Sequence, residues 1–421
     1  MTTASLNTQC KFSLRVNGCT TFPKISYPTH PGIYNTLETE QHVFHFNLNN
    51  EIIRAKGKDK NWRHPHEWFK RTMGNDWVYY STGGYTGVFE ATGEYYLPNF
   101  NYSSNNIIGG NPFKAKEISG FADDWFTFLQ AAANAELYAP AERSFLYEVL
   151  LNNPTRLQAK AQLLHNIIGG QVSVLPPDAR HVGYNLIPVT ISRGCLYKCR
   201  FCSVKNNHPF TELPLTDIDQ QIEELRRLYS NDLINYNAIY LGEHDALNAA
   251  PGTILHSIHK SYNRFGLYDS YLEGVSCFFF GSATSILEAP EQLFFELNQI
   301  PGMVYINIGL ESPNQTTLDQ LGKPITSAQV WDAFKRIQSL NRAYTHLEIS
   351  VNFIMDENLP AAHYREVEQL IRDTEFFQQA KGTVYFSPLS FDKPSRSRMF
   401  EFNRLKLMSR FPTFLYIIQR L

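Results

Sequence analysis

Residues 183–205 read GYNLIPVTISRGCLYKCRFCSVK. The first ten, Gly183–Ser192, form a short apolar run that opens on glycine and holds Ile, Val and Thr, which predicts a strand. Cys195, Cys199 and Cys202 follow at once, three thiols within eight positions. The chain has six cysteines in 421 residues, and Cys10, Cys19 and Cys277 lie far from the cluster. Six are too few for a disulfide scaffold, so the crowding predicts thiolate ligands in a reducing compartment. A closed zinc site or a closed [4Fe–4S] cluster takes four protein ligands, and only three cysteines converge here. Three readings remain open: three buried cysteines gathered by chance, zinc completed by His208, or a four-iron cluster with one iron free to chelate a small molecule.

Downstream, apolar strands alternate with amphipathic helices. Helices are expected at Thr216–Tyr229 (Thr216 as cap), Thr253–Phe265, Ala289–Leu297 (Pro290 in the first turn), Thr326–Asn341 and Ala361–Phe377. Strands are expected at Asn237–Leu241, Tyr271–Phe280, Met303–Gly309, His346–Ile354 and Thr383–Leu389. With Gly183–Ser192 that makes six strands and an α/β fold with a parallel sheet. Functional side chains in such folds collect at the C-terminal strand ends, where the three cysteines fall.

The spacing Cys195-x3-Cys199-x2-Cys202, with the aromatic Phe201 before the last cysteine, resembles the cluster motif of the radical S-adenosylmethionine (radical SAM) enzymes. Tyr240-Leu-Gly242-Glu-His-Asp245-Ala-Leu247, after the second strand, is similar to that family's glycine-rich turn beside the methionine moiety. Asp245 is preferred over Glu243 as the contact to the amino group, because Ala246-Leu247 then falls where the family has Pro-Leu. Asn307-Ile-Gly309-Leu-Glu311-Ser, with Leu321-Gly322-Lys323 behind it, is similar to the Gly-x-Glu-Ser stretch of the elongator, methylthiotransferase and coproporphyrinogen dehydrogenase subgroup. There Gly309 would admit the adenosine and Glu311 would orient ribose or a partner side chain. Ser282, in Gly281-Ser-Ala-Thr284, is a weaker candidate for the methionine carboxylate.

The resemblance implies a partial (β/α)6 barrel over 181–395, preceded by an N-terminal α+β domain (1–180) and followed by a helical tail (396–421). It implies a [4Fe–4S] cluster on Cys195, Cys199 and Cys202, with S-adenosylmethionine on the open iron. It further implies an external one-electron reductant such as flavodoxin or ferredoxin, and hydrogen abstraction from a substrate by a 5′-deoxyadenosyl radical. A small organic substrate is expected. An RNA substrate, or a non-catalytic zinc or iron–sulfur module, are the alternatives.

The rest of the chain bounds these readings. Lys plus Arg is 38 and Asp plus Glu is 40, a formal charge of −2, which argues against a protein that coats nucleic acid. No apolar run is long enough to span a membrane, and the first residues lack a signal-peptide core, so a cytoplasmic location is expected. Lys56–Arg71 interleaves basic and aromatic residues in the manner of a single-strand nucleic-acid groove, or else is a solvated face. His64 and His66 form a weak metal pair. Asp76–Tyr102 alternates aromatics with Gly, Thr and Ser, predicting two or three strands that cap the barrel mouth or form a small core. Helices are expected at Phe121–Leu137, Pro140–Leu151 and Pro154–His165, with Asp123-Asp124 at a helix start. The tail carries the apolar stripe Leu405, Leu407, Met408, Phe411, Phe414, Leu415 and Ile418.

Overall fold

The computed structural model describes residues 10–22, 30–58, 62, 67–81, 93–97, 116–134, 138–202, 209–373, 381–389, 396–416 and 421. His64, His66, His208 and Ile418 lie outside them, as does much of Asp76–Tyr102.

The N-terminal part is a consecutive antiparallel meander. It comprises β1 (Lys11–Asn17), β2 (Ile33–Glu38), β3 (His42–Phe46), β4 (Ile52–Gly57), β5 (Trp68–Arg71), β6 (Trp77–Ser81) and β7 (Gly93–Leu97). The Asn-rich run between β3 and β4 makes the turn. Asn47 Oδ1 accepts from the backbone N–H of Asn49 (3.0 Å) and Glu51 (2.9 Å), and Asn50 takes φ +58°. Short amide side chains compete for backbone groups in this way and tolerate the left-handed region. One face of the sheet packs Phe44, Phe46, Phe69 and Tyr79 against α1 (Lys116–Ala133) and α2 (Pro140–Leu151). Burying each of these rings contributes roughly 2–3 kcal/mol. α3 (Pro154–Ile168) follows, capped by the Asn153 side chain on Arg156 N–H and ended by Gly169 at φ +78°. Asp123-Asp124 sits inside α1 rather than at its start, because the helix begins five residues earlier than Phe121.

The second part is a parallel sheet. Its order is β16 (Thr413–Leu415), β15 (Val384–Pro388), β14 (Leu347–Met355), β13 (Met303–Glu311), β12 (Ser276–Ser282), β11 (Ala238–Gly242) and β8 (Ile187–Thr190). Between these strands run α4 (Leu215–Tyr229), α5 (Pro251–Phe265), α6 (Ala283–Glu288), α7 (Glu291–Gln299), α8 (Gln315–Leu321), α9 (Ser327–Ala343) and α10 (Ala361–Arg372). The strands are buried on both faces and read as near-continuous apolar runs, as parallel strands must. This is the α/β partial barrel, with one strand more than expected. The tail is not wholly helical: α11 (Arg396–Met408) ends, Pro412 O accepts from Val384 N–H (2.9 Å), and Thr413–Leu415 pairs in parallel with β15. Of the expected stripe, Leu405 and Phe411 are buried while Leu407 faces solvent.

Pro214, not Thr216, precedes α4, and Thr326, the first residue of the expected helix, caps α9 through Gln329 N–H. β12 begins at Ser276, because Tyr271–Val275 is spent on a turn that contacts the N-terminal part: Glu273 N–H donates to Thr20 O and Tyr271 OH to Gly18 O.

The buried ionisable groups carry a pH prediction. His30, His45, His165, His181, His244 and His363 are all held below their ordinary value, in each case first by burial. A depressed histidine contributes stability that is complete above pH ~6.5 and is lost as pH falls toward the folded value, about 4 for His181 and His363. Burial pushes Asp178 and Asp245 up to about 6 and Asp232 up to about 7, so these act in the opposite sense. The histidines outnumber them. Calorimetry should show the thermal midpoint dropping between pH ~6.5 and ~4; a midpoint flat over that range would contradict it.

Candidate active site

The three cysteines lie in a loop tied at its base. β9 (Ser192–Arg193) pairs antiparallel with β10 (Thr211–Glu212), closing the excursion that carries Cys195, Cys199 and Cys202. Gly194 turns the chain at φ +80° and its N–H donates to Glu243 Oε2 (3.2 Å). Tyr197 N–H points at Cys195 Sγ (3.5 Å), and Arg200 N–H donates to Leu321 O (2.8 Å). The Tyr197 hydroxyl lies 2.5 Å from Thr284 Oγ1 and accepts from Thr284 N–H (3.0 Å). The loop is thus fastened to the ends of β11 and β12 and to the turn after α8.

Burial raises the thiols of Cys195 and Cys199, the latter to about 11, while the ammonium of Lys323 opposes the rise at both. Cys195 senses the charge of Cys202, Cys199 that of both Cys202 and Cys195, and all three are free thiols. Among the described residues no group of three His, Cys, Asp or Glu side chains is drawn together tightly enough for one metal ion. His208, the fourth ligand of the zinc alternative, lies outside them.

Asp245 and Glu311 project from the ends of β11 and β13. Asp245 is buried; its Oδ1 accepts from Ser282 N–H (3.0 Å) and Ser285 Oγ (2.9 Å), while Oδ2 has no partner. Glu311 is also buried, at φ +64°, where the register between β13 and β14 slips. Its Oε1 accepts from Lys323 Nζ (3.1 Å), and its Oε2 has no partner. Two buried carboxylate oxygens without donors thus lie at strand ends beside the cysteine loop, and each has acceptor capacity that a hydroxyl or ammonium would satisfy.

The other expected residues sit as follows. Gly309 leaves room for Glu311 rather than for a ligand: a Cβ there would stand 2.6 Å from Glu311 Oε1. A Cβ on Gly242 would meet Thr190 Oγ1 and Tyr240 Cε1 only at ordinary contact, 3.5 Å, so no protein atom demands that glycine. The Ser282 hydroxyl caps α6, accepting from Ser285 N–H (3.0 Å), and is already committed. Phe201 is half-buried in the turn between Cys199 and Cys202. Glu243 braces Gly194, while the Asp245 carboxyl keeps an oxygen free; the geometry therefore separates the two acids.

Lys323 is the residue the sequence reading assigned no role. It is 6% exposed, donates to Gly309 O (2.7 Å) and to Glu311, and lies 5.3 Å over the Tyr197 ring. Burial alone would lower its ammonium, but Glu311, Cys199 and Tyr197 outweigh that and raise it. The available signal was a lone lysine directly after a helix-ending glycine in an apolar stretch.

Among the described residues of Lys56–Arg71, Trp62, Trp68, Lys70 and Arg71 are buried rather than lining an open groove, and Arg71 is held by Ile52 O (2.8 Å) and Glu51 (3.6 Å).

Residues 189–356 match the radical SAM superfamily. This part of the chain belongs to that superfamily. A radical SAM domain indicates an enzyme, and the cofactors of that superfamily are a [4Fe–4S] cluster and S-adenosylmethionine, with an external electron donor generally needed. No curated protein matches the chain. Among solved structures, the cobalamin-dependent S-adenosylmethionine radical enzyme OxsB is 20% identical, with a TM-score of 0.34, over 44% of this chain and 26% of its own. This chain thus spans about a quarter of OxsB. A radical SAM methyltransferase from Sphaerobacter thermophilus is 15% identical (TM-score 0.35; 54% of this chain, 64% of its own). Methylornithine synthase is 10% identical (TM-score 0.35; 70% and 76%). Among the described residues no helix is long and apolar enough to cross a membrane.

Proposed function

We propose that Cys195, Cys199 and Cys202 ligate three irons of the cluster, and that Asp245 and Glu311 receive S-adenosylmethionine. The carrying observation is the pair of donorless buried oxygens, Asp245 Oδ2 and Glu311 Oε2, flanking a loop of three cysteines. Asp245 Oδ2 suits an ammonium, because a carboxylate–ammonium pair is the stronger, charge-assisted hydrogen bond. Glu311 Oε2 suits the ribose hydroxyls. When bound, the cofactors supply reductive cleavage to methionine and a 5′-deoxyadenosyl radical that takes hydrogen from the substrate.

The chain's own residues do the holding. Tyr197 and Thr284 fix the loop, Ser282 and Ser285 orient the Asp245 carboxyl, and Lys323 orients Glu311. The substrate is a small organic molecule in the barrel interior. Phe280, Asn352 and Ser387 stand there half-buried, with Ser387 Oγ donating to Asn352 Oδ1 (2.8 Å) and the Tyr240 ring edge-on to Phe280. This lining takes an apolar body with a neutral hydrogen-bonding group.

Anaerobic protein reconstituted with iron and sulfide, given S-adenosylmethionine and dithionite, should release 5′-deoxyadenosine detectable by mass spectrometry. A zinc-loaded protein that takes up no cluster would sink the reading. Asp245→Asn should raise the dissociation constant for S-adenosylmethionine by at least about tenfold, a loss on the scale of one charge-assisted hydrogen bond. Its melting temperature should hold, since an amide oxygen still accepts from Ser282 and Ser285; equal affinity in both proteins would remove Asp245 from the site.

A further inference from the structure

The N-terminal sheet has a second face, turned from the α1–α2 core. His45, Arg54 and Lys70 are consecutive cross-strand neighbours on it, and Trp68 opposes Tyr80. Arg54 is buried, and neither Nε nor Nη1 has a hydrogen-bond partner. Its guanidinium lies 5.6 Å over Trp68, whose ring stacks on Tyr80 at 4.4 Å. Trp68 Nε1 and His45 Nδ1 are likewise buried without partners.

Arg54 lines a cavity of about 70 Å³ at the seam with the base of the barrel, together with Tyr34, Asp232, Asn235 and Tyr236. This is the end of the strands opposite the cysteine loop, since Asn235 and Tyr236 precede β11. The neighbouring charges are spent. Arg71 is held by Glu51 and Ile52 O, and Lys70 donates to Gly183 O (2.8 Å). Asp232 Oδ1 accepts from Leu48 N–H (3.2 Å) and Asn235 Nδ2 (2.7 Å) and makes no hydrogen bond to Arg54. Burial pushes Asp232 up to about 7, so it is only partly ionised near neutrality, and burial lowers Arg54 only to about 10, which leaves a full cation.

A buried guanidinium with unused donors is costly unless something both accepts its hydrogen bonds and carries negative charge. Water would meet the first need but not the second. The cavity has room for several waters, which is the size of a compact oxyanion. We propose that this seam binds a carboxylate- or phosphate-sized anion on Arg54, joining the N-terminal sheet to the barrel base. The site is independent of the cofactors.

The test is thermal unfolding and calorimetric titration of the full chain in chloride buffer with added inorganic phosphate or acetate. Phosphate, acetate or both should raise the wild-type midpoint saturably, by about 5 °C near a hundredfold excess over the dissociation constant. Arg54→Met should weaken that binding at least tenfold, and without anion it should melt no lower than the wild type, because a buried unpaired cation has been removed. Lys58→Met, a surface control, should keep the full response. A response to acetate alone identifies the guest as a carboxylate. Equal midpoint shifts in wild type and Arg54→Met, or no heat of binding to wild type with either anion, would overturn the proposal and leave a hydrated cavity; the second readout stands even if Arg54→Met does not fold.

Discussion

Cys199→Ala is expected to abolish cluster binding and 5′-deoxyadenosine formation while leaving the fold intact. Cys199 is a buried thiol in a loop, and losing one sulfur there costs about 1 kcal/mol, a small part of the stability of a domain this size. The loop keeps its other ties: Arg200 N–H to Leu321 O, Tyr197 to Thr284, and Gly194 to Glu243. The chemical loss is of another order. Only three thiols converge, so no spare ligand replaces the missing one. Iron content after anaerobic reconstitution should collapse, and product should fall by more than about 100-fold, beyond what loss of a merely supporting residue costs. Cys277→Ala is the matched control, since Cys277 is also buried but sits within β12 away from the loop. If Cys199→Ala kept its iron while Cys277→Ala lost it, the ligand assignment would be refuted.

The barrel was legible because six of its seven strands announce themselves. An apolar run such as Asn237–Leu241 or Met303–Gly309, bounded by turn residues and followed by a 3.6-period helix, has few other ways to bury its side chains. The seventh strand was not legible. Thr413–Leu415 is three residues long and follows a helix whose apolar stripe runs on across Pro412, so only pairing with β15 defines it. The N-terminal meander was half hidden for another reason: its turns are made by asparagine and threonine side chains and its strands are short. Within the site, spacing exposed the cysteines and the acids. It could not expose Lys323, whose meaning comes from a contact with Glu311 across a helix and from the slip in register that bends Glu311 back. Nor could it distinguish the basic, aromatic stretch around Trp68 from a surface groove, since burial there is set by the second sheet face and the barrel beneath it.

That contact carries the other large effect. Lys323→Met would leave the Glu311 carboxylate buried with neither oxygen partnered, and breaking a buried pair from one side costs about 3–5 kcal/mol. Glu311 also holds φ +64°, a conformation that persists in a side-chain-bearing residue only when its surroundings over-determine it. Lys323 does so by bridging the Glu311 side chain to the backbone carbonyl of Gly309. Glu311→Gln should cost less, because the ammonium keeps Gly309 O and an amide oxygen can still accept. The double variant Lys323→Met/Glu311→Gln should be more stable than Lys323→Met alone, with an interaction energy of about 1–3 kcal/mol in urea unfolding of the cluster-free protein. The readout needs no cofactor, so it isolates what the pair does for the fold. Should Lys323→Met prove as stable as wild type, the lysine would not be what holds Glu311, and its place would have to be explained by the neighbouring thiols instead.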